Sequence, residues 1–285
     1  MKSITTGILY IIATPIGNFS DATERMVTTL STVDILLCER PMHSRRLLQH
    51  VGVAPPKIAK LTDHDAPKVL LSWIEALQSG QSIAYISDAG TPLISDPGAR
   101  LVELAHEHGI RVVPVPGPSA VSTVISMTGL AQNGYQFFGF LPSKSSSRMK
   151  CLADIIHTRL ATVFFESPHR LIASLGDMLQ VFGNERRVFV AKELTKIYES
   201  YWYDNLENVL NALEHTSIKG EYVIVVAPNK QVFDNDLTDE LLRVLRIFHE
   251  GGLSMAQAVS LAVQVVKVSK NQAYRIALEV FQSAK

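Results

Sequence analysis

Residues 85–98 read Tyr85-Ile86-Ser87-Asp88-Ala89-Gly90-Thr91-Pro92-Leu93-Ile94-Ser95-Asp96-Pro97-Gly98, an apolar strand followed by a loop of small residues and prolines. A second segment of this kind is Val113-Pro114-Val115-Pro116-Gly117-Pro118-Ser119-Ala120. Such residues at the carboxyl end of a strand build a rigid, open loop in which a ligand can touch the backbone. Ligands of open α/β sheets bind at this edge. The two segments therefore predict a parallel sheet with a binding site at the carboxyl ends of its strands.

The rest of the chain repeats the pattern of strand, loop and helix. Short apolar runs alternate with amphipathic stretches, which is typical of sheets covered by helices. Strands are predicted near residues 8–13, 34–38, 57–61, 82–86 and 111–115, and then near 135–140, 162–166, 187–192, 198–203 and 221–226. The sequence therefore predicts two α/β domains, 1–117 and 118–230, with a ligand cleft at their seam. Because residues 236–285 show helical periodicity only, a helical tail is predicted over 231–285.

Composition and charge limit the classes of function. The chain has 285 residues, and its 27 Lys and Arg residues offset 27 Asp and Glu residues, so contact with nucleic acid requires a local basic surface. The two cysteines, Cys38 and Cys151, have no metal-ligand spacing, and no metal site is predicted. No signal peptide is recognisable, and no apolar run approaches the ~20 residues that span a bilayer. We therefore expect a cytoplasmic protein without a membrane segment.

The loops after the strands carry the candidate ligand-binding residues. Thr14-Pro15-Ile16-Gly17-Asn18 follows the first strand without the Gly-x-Gly-x-x-Gly pattern, which disfavours a diphosphate cofactor such as NAD. An ordinary tight turn is the alternative there. Asp88, Gly90 and Thr91 offer a carboxylate, close backbone approach and a hydroxyl, which suit an amino-acid or ribose group. The alternative is a turn in which Asp88 accepts from local amides.

Helix starts and charged strand ends add further candidates. Ser119 and Ala120 can bind a carboxylate at a helix amino terminus, unless Ser119 is a plain cap. Asp96-Pro97-Gly98 is predicted to cap the next helix, with Pro97 at its first position. Three segments place an acid beside a base at a strand end, as a mixed-charge rim or as solvated loops: Glu166-Ser167-Pro168-His169-Arg170, Lys192-Glu193-Leu194-Thr195-Lys196 and Lys219-Gly220-Glu221.

Taken together, these motifs resemble one family, the bacterial 16S ribosomal RNA cytidine 2′-O-methyltransferases, a branch of the tetrapyrrole-methylase superfamily (class III methyltransferases). The resemblance covers nearly the whole chain in order. Besides the loops quoted above, it rests on Leu9-Tyr10-Ile11-Ile12-Ala13, Gly139-Phe140-Leu141-Pro142 and the Ser-Pro-His-Arg and Glu-Leu-Thr-Lys motifs within 166–170 and 192–196.

The resemblance implies a homodimer that binds S-adenosylmethionine between a parallel Rossmann-like sheet and a mixed sheet. It implies methyl transfer to a ribose 2′-hydroxyl of a cytidine in the decoding centre of the small subunit, with the helical tail contacting RNA or the ribosome. The residues that it implies for cofactor binding are Pro15, Ile16, Asp88, Gly90, Thr91, Ser119, Ala120, Phe165, Leu194, Gly220 and Glu221.

The chemistry of methyl transfer adds catalytic candidates. Positioning of the ribose oxygen against the methyl carbon carries most of the rate, and a base or a nearby cation assists loss of the hydroxyl proton. The candidates for the base are Glu39, Glu166 and Glu193, and the candidates for the cation are Lys192 and Lys196.

The chain departs from the family pattern in two places. Glu39-Arg40-Pro41-Met42-His43-Ser44 stands where these enzymes typically read Glu-Asp-Thr-Arg-His-Thr, which puts catalysis in question. Lys267 stands where the family usually has glycine before the last helix, which questions the turn geometry. Two other functions are therefore kept open: a non-catalytic, ribosome-associated protein that binds S-adenosylmethionine, and a methyltransferase acting on a small tetrapyrrole.

Overall fold

The first half of the chain forms a five-stranded parallel sheet in the computed structural model, which describes residues 6–54 and 57–282. The spatial order is β3-β2-β4-β1-β5, and all four pairings are parallel. The strands are β1 (Ile8–Ile12), β2 (Ile35–Cys38), β3 (Lys57–Lys60), β4 (Ile83–Ile86) and β5 (Arg111–Val115). β2 and β4 are buried along their whole length, as expected for inner strands covered on both faces.

Helices cover both faces of this sheet. They are α1 (Glu24–Leu30), α2 (Pro41–His50), α3 (Pro67–Gln78), α4 (Ala99–Glu107) and, leading into the second half, α5 (Ala120–Thr128). Leu70, Ile74 and Leu101 of α3 and α4 pack on one face. Met26 and Leu48 of α1 and α2 pack on the other. The two separate cores give the three-layer arrangement that the alternating pattern predicts.

The second half forms a mixed sheet in the order β6-β7-β10-β8-β9. Its strands are β6 (Tyr135–Phe140), β7 (Ala161–Glu166), β8 (Arg187–Lys192), β9 (Ser200–Asn205) and β10 (Tyr222–Val226), and its helices are α6 (Ser145–Asp154), α7 (Leu171–Phe182) and α8 (Leu206–Glu214). Only β6 and β7 are parallel; β10 pairs antiparallel with β7 and β8, and β9 with β8. One face packs on α6, α7 and α8, and the other packs on α5. The predicted fold class, two α/β domains with a parallel and then a mixed sheet, is confirmed.

The last part of the chain is a three-helix unit with its own core. It consists of α9 (Lys230–Glu250), α10 (Met255–Val266) and α11 (Lys270–Gln282). Leu241, Val259 and Ile276, one from each helix, are among the buried residues of this core. A capping box begins α10. The Ser254 hydroxyl accepts from the Gln257 backbone N–H, and the Gln257 side-chain oxygen accepts from the Ser254 backbone N–H. The predicted helical end is thus present, whereas the boundaries after residues 117 and 230 stay predictions.

None of the helices within residues 6–54 and 57–282 combines the length and the apolar character that crossing a membrane requires.

Lys267 ends α10 in the left-handed conformation, with φ of 58° and ψ of 39°. This conformation costs a residue with a Cβ atom about 1–2 kcal/mol, and a helix of this kind usually ends on glycine for that reason. The glycine usual in the family therefore suits a left-handed position at the end of α10, which Lys267 adopts here with backbone strain.

We predict that Lys267→Gly stabilises the tail by about 1 kcal/mol, because glycine relieves the left-handed strain. Thermal unfolding followed by circular dichroism measures the change. Lys270→Gly, at the start of α11, is the matched control and is expected to lower the melting temperature, because glycine is a poor helix former. A lower melting temperature for Lys267→Gly would contradict this account of the turn.

Candidate functional site

Three loops meet at the carboxyl edge of the parallel sheet. The loop after β1 and the loop after β4 are joined by two backbone hydrogen bonds, from Thr14 N to Gly90 O at 2.9 Å and from Gly90 N to Thr14 O at 3.0 Å. The Thr91 hydroxyl donates to Pro118 O at 3.1 Å and ties the loop after β4 to the loop before α5. The proline-rich segments thus form one rigid rim, as the sequence indicates for this edge.

The mixed sheet brings its own strand ends to the opposite side. Tyr222, the first residue of β10, pairs with Glu166 at the end of β7 and with Lys192 at the end of β8. Because β10 runs antiparallel to both neighbours, its starting turn lies at the same edge as their carboxyl ends. The loops 193–196 and 219–221 therefore face the rim of the first sheet.

The two halves touch closely at this seam. A Cβ atom on Gly17 would lie 2.4 Å from Lys196 Cγ, and one on Gly139 would lie 2.8 Å from Ser95 Oγ. Gly139 also has a φ of +69° and sits at a register shift in β6, so a larger residue would meet both crowding and backbone strain. Close backbone packing thus closes the seam on two sides.

A cavity of about 330 Å³ lies between the two rims. It falls within the ~300–1,000 Å³ range typical of small-ligand and cofactor sites, and apolar side chains predominate on its walls with a few polar groups among them. The lining residues are Ile16, Ala89, Gly90, Thr91, Ile94, Ser95, Asp96, Ser119, Ala120, Phe140, Phe165, Glu166, Ser167, Pro168, Leu194, Gly220, Glu221, Tyr222 and Val223.

Most of the predicted cofactor-binding residues line this cavity. Nine do so: Ile16, Gly90, Thr91, Ser119, Ala120, Phe165, Leu194, Gly220 and Glu221. Pro15 is buried beside Ile16, and Asp88 precedes the lining residue Ala89; neither is itself in the wall. Of the predicted catalytic residues, Glu166 alone is in the wall, whereas Glu39, Lys192 and Glu193 are not.

Asp88 presents a buried hydrogen-bond acceptor next to the cavity-lining residue Ala89. One of its carboxylate oxygens, Oδ2, pairs with Arg40 Nε. The other, Oδ1, is buried and has no hydrogen-bond partner among the described residues. A buried acceptor of this kind is costly unless a donor satisfies it. An ammonium or a hydroxyl of a bound molecule would supply that donor.

Glu166 is fixed as part of the framework. Its side chain is buried and accepts from Ser167 N at 2.7 Å and from the Ser174 hydroxyl at 2.5 Å. Arg170 lies 3.5 Å away and also contacts the Leu141 carbonyl. Both carboxylate oxygens of Glu166 are therefore engaged in joining the end of β7 to α7 and to the loop after β6.

Glu193 belongs to a second ionic cluster. Lys196 Nζ lies 2.8 Å from Glu193 Oε1 and 2.8 Å from Glu221 Oε2. Glu193 Oε1 also accepts from Glu221 N at 2.9 Å. Although burial opposes the charge, the hydrogen bonds from Lys196 and from the backbone lower the pKa of the Glu193 carboxyl. Lys192 turns away, with its Nζ 3.5 Å from Ser217 O.

Glu39 lies outside the cavity, at the end of β2. Burial and the neighbouring carboxylates Asp88 and Asp96 raise the pKa of its carboxyl group. Asp96 lies in the cavity wall, and burial and the carboxylates Asp88 and Asp63 raise the pKa of its carboxyl group to about 6, although Ser87 opposes the shift. A group of acidic side chains thus gathers where β2 and β4 end.

Comparison with known proteins identifies the molecule. The sequence profile of the tetrapyrrole (corrin/porphyrin) methylase family matches residues 8–210. Ribosomal RNA small subunit methyltransferase I of Vibrio cholerae is 40% identical over 98% of this chain and 97% of its own length. The chain belongs to the ribosomal RNA small subunit methyltransferase I family, within the tetrapyrrole methylases. The family named from the sequence motifs is therefore confirmed.

Other relatives agree with this assignment. Ribosomal RNA small subunit methyltransferase I of Escherichia coli O157:H7 is 40% identical over 96% of this chain and 95% of its own. Among solved structures, a uroporphyrin-III C-methyl transferase from Thermus thermophilus, complexed with S-adenyl homocysteine, superposes with a TM-score of 0.54 at 15% identity and covers 77% of this chain and 96% of its own. At 15% identity, this structural likeness supports the fold of the chain and no more.

The segment that departs from the family pattern lies beside the site. Arg40 precedes α2, and its guanidinium pairs with Asp88 while 71% of the side chain stays exposed. The hydrogen bond and charge of Asp88 raise the pKa of Arg40. Pro41 begins α2, where a missing N–H has no cost, so the altered segment still starts the helix in a normal way.

The prediction for Asp96 is wrong. The Asp-Pro-Gly pattern predicts Asp96 as the cap of the next helix with Pro97 as its first residue, but α4 begins at Ala99. Gly98, at a φ of +110°, occupies the N-cap position and makes no side-chain cap bond. Gly98 rather than Asp96 fits there because a Cβ atom would lie 2.6 Å from the Tyr85 ring. Asp96 is left free to face the cavity.

Several wall residues were not among the predicted ones. They are Ala89, Ile94, Ser95, Asp96, Phe140, Ser167, Pro168, Tyr222 and Val223. Ala89 and Ser167 adjoin predicted residues, so loop position alone was a usable signal for them. Phe140 closes the cavity from β6, and only the tertiary arrangement shows this contact.

The ion pairs of Glu166 and of Arg40 should contribute unequally to the stability of the fold. We expect Glu166→Ala to lower the free energy of unfolding by about 3 kcal/mol, because it leaves Ser174 and Arg170 without their buried partner. Arg40→Ala, which removes a guanidinium whose side chain is 71% exposed, should lower it by less than about 1 kcal/mol. Urea unfolding followed by fluorescence measures both values. Equal losses would contradict the structural role of Glu166.

Proposed function

We propose that this protein transfers a methyl group from S-adenosylmethionine to the ribose 2′-hydroxyl of a cytidine in the decoding centre of 16S ribosomal RNA. The observation that carries the proposal is the cavity between the two sheets, lined by nine of the residues expected to bind the cofactor. The similarity to ribosomal RNA small subunit methyltransferase I over nearly the whole chain supports the substrate class.

The methyl donor of this family is S-adenosylmethionine, and the residues present fit it. Asp88 Oδ1 offers the unsatisfied buried acceptor that an ammonium or ribose hydroxyl needs. Gly90, at a φ of +81° with Ile16 Cγ2 3.2 Å from an added Cβ, keeps backbone accessible where a side chain would intrude. Apolar walls from Ile16, Leu194 and Val223 suit an adenine ring and exclude water.

We assign cofactor binding to the residues that the family resemblance implies. They are Pro15, Ile16, Asp88, Gly90, Thr91, Ser119, Ala120, Phe165, Leu194, Gly220 and Glu221. When bound, the cofactor supplies an electrophilic methyl group on a positively charged sulfur. The acidic side chains Glu39, Asp88 and Asp96 give the rim a negative potential that favours such a positive charge.

The catalytic candidates take different parts in this proposal. Glu166 holds the floor of the cavity, since both of its oxygens are engaged by neighbours. Glu193 and Lys196 fix the loop that closes the second rim, and Lys192 supports the turn at Ser217. Glu39 contributes charge from outside the wall. We propose that Glu166, Lys192, Glu193 and Lys196 position the loops around the cavity and do not touch the reacting atoms.

RNA binding and assembly complete the proposal. The net charge is zero, so the RNA must be held by local basic groups, and we assign part of this contact to the three-helix tail. We also propose a homodimer in the cytoplasm. Light scattering on the full chain tests the dimer: twice the 31.4 kDa of one chain is expected, and 31.4 kDa would exclude it.

The decisive experiment measures transfer of a labelled methyl group from S-adenosylmethionine to small ribosomal subunits from a strain that lacks the protein. We expect one methyl group on a ribose of a decoding-centre cytidine, located by mass spectrometry of RNA fragments. Cofactor binding without incorporation would favour the non-catalytic, ribosome-associated alternative. Incorporation into a tetrapyrrole but not into RNA would favour the small-molecule alternative.

A cavity-filling variant tests the location of the cofactor. Ala120→Leu adds three carbons at the first residue of α5, inside the cavity, and we expect the Kd for S-adenosylmethionine to rise at least about tenfold. Ala99→Leu makes the same change at the exposed first residue of α4 and should leave the Kd unchanged. Isothermal titration calorimetry measures both. Equal affinities for the two variants would place the cofactor elsewhere.

A further inference from the structure

The carboxylates at the site differ in how much of their charge is already neutralised. Glu166 is engaged by Arg170 and Ser174, and Glu193 and Glu221 share Lys196. Asp88 pairs with Arg40. Among the described residues, Asp96 is the cavity-lining carboxylate for which no ion pair is formed.

The loop that carries Asp96 is held in a strained shape. Leu93 and Ser95 have φ values of 69° and 66°, and residues with a Cβ atom seldom adopt this region. Such strain persists only where the surrounding structure over-determines it, and it concentrates at functional sites. The placement of Asp96 in the cavity wall therefore costs the fold free energy that an ordinary turn would not.

Contacts from three residues, Tyr85, Asp63 and Gly139, fix this strained loop. The Tyr85 hydroxyl donates to Pro97 O at 2.7 Å, and the Tyr85 ring lies against Gly98. Gly98 N donates to Asp63 Oδ1 at 3.4 Å. Ser95 packs against Gly139 of the second sheet. These contacts lie immediately before and after Asp96, so they fix the backbone that carries its side chain and do not engage its carboxylate.

The surroundings of Asp96 favour the protonated form of its carboxyl group. The carboxylates Asp88 and Asp63 face it and raise its pKa, as burial does, and Glu39 and Tyr85 lie in the same electrostatic neighbourhood, with Arg40 beyond Asp88. The resulting pKa of about 6 lies close to neutral pH. A general base is most effective under that condition.

We propose that Asp96 is the general base of the methyl transfer and accepts the proton of the target ribose hydroxyl. This inference rests on the proposed function. The new bond joins the ribose oxygen to the methyl carbon, and the bond from that carbon to sulfur breaks with its electron pair left on sulfur. The hydroxyl proton goes to the Asp96 carboxylate and then to solvent, and the charges balance because the positive charge of the sulfonium is lost.

The test compares Asp96→Asn with Asp154→Asn, the same change at the exposed last residue of α6, which does not line the cavity. For Asp96→Asn we expect an unchanged Kd for S-adenosylmethionine by calorimetry and a single-turnover rate on small subunits that falls about 10²–10⁴-fold. Asp154→Asn should keep the rate within about threefold of the original protein, since a change of that size is under 1 kcal/mol. Asp96→Glu should recover part of the lost rate.

The pH profile separates proton transfer from a structural role. With Asp96 present, the rate should rise with pH and level off above an apparent pKa of about 6, because only the ionised carboxylate accepts a proton. The residual rate of Asp96→Asn should lack this rise. If the rise persists in Asp96→Asn, Asp96 is not the base.

A stability measurement checks the state of Asp96 without any activity. Because folding raises its pKa, the ionised carboxylate destabilises the fold increasingly as pH rises through the folded value. Asp96→Asn should therefore exceed the original protein in melting temperature by more at pH 8 than at pH 4.5. An equal difference at both values would show that the carboxylate does not titrate as the proposal requires.

The two proposals fail in different ways. If the original protein transfers no methyl group to small subunits, the proposed function fails and the role of Asp96 fails with it. If the original protein is active and Asp96→Asn is within about threefold of it, the role of Asp96 alone is overturned.

Discussion

The close approach of two loop rims is the constraint on which the rest of the structure depends. Thr14 and Gly90 exchange backbone hydrogen bonds and make the first rim one body. Gly17 and Gly139 then let that rim meet the second sheet at distances that no Cβ atom tolerates. A cavity walled by both sheets exists only because backbone meets side chain directly at these two points, and the small residues there follow from that requirement.

Much of the fold follows from the sequence, for reasons that particular elements show. The inner strands β2 and β4 are short, wholly apolar runs, and their burial on both faces makes them recognisable. The end of α10 was readable too, since the family's glycine marks a left-handed position that Lys267 adopts. The antiparallel course of β10 has no such local signature; it rests on pairing with β7 and β8, which are distant in the chain.

The sequence predicts those site residues whose place in a loop brings them to the cavity. It does not predict those that depend on the direction of a side chain in the folded structure. Gly90, Thr91 and Ala120 follow strands of the parallel sheet, and that edge is where such sheets bind ligands. Asp96 was assigned to a helix cap because an aspartate followed by proline usually serves there. With the Tyr85 ring against Gly98, the helix starts at Ala99, two residues beyond Pro97, and Asp96 lies in the cavity wall and not at the cap.

The residues of the cavity wall are spread along the sequence, which affects when the cavity can form during synthesis of the chain. Its residues run from Ile16 in the first loop to Val223 in β10, so most of the chain separates its first and last contributions. Domains fold as units from the amino terminus while the chain is being made. The parallel sheet can thus form on the ribosome with only one rim present. Under the proposed function, the cavity that binds the methyl donor is complete only after β10 has left the exit tunnel.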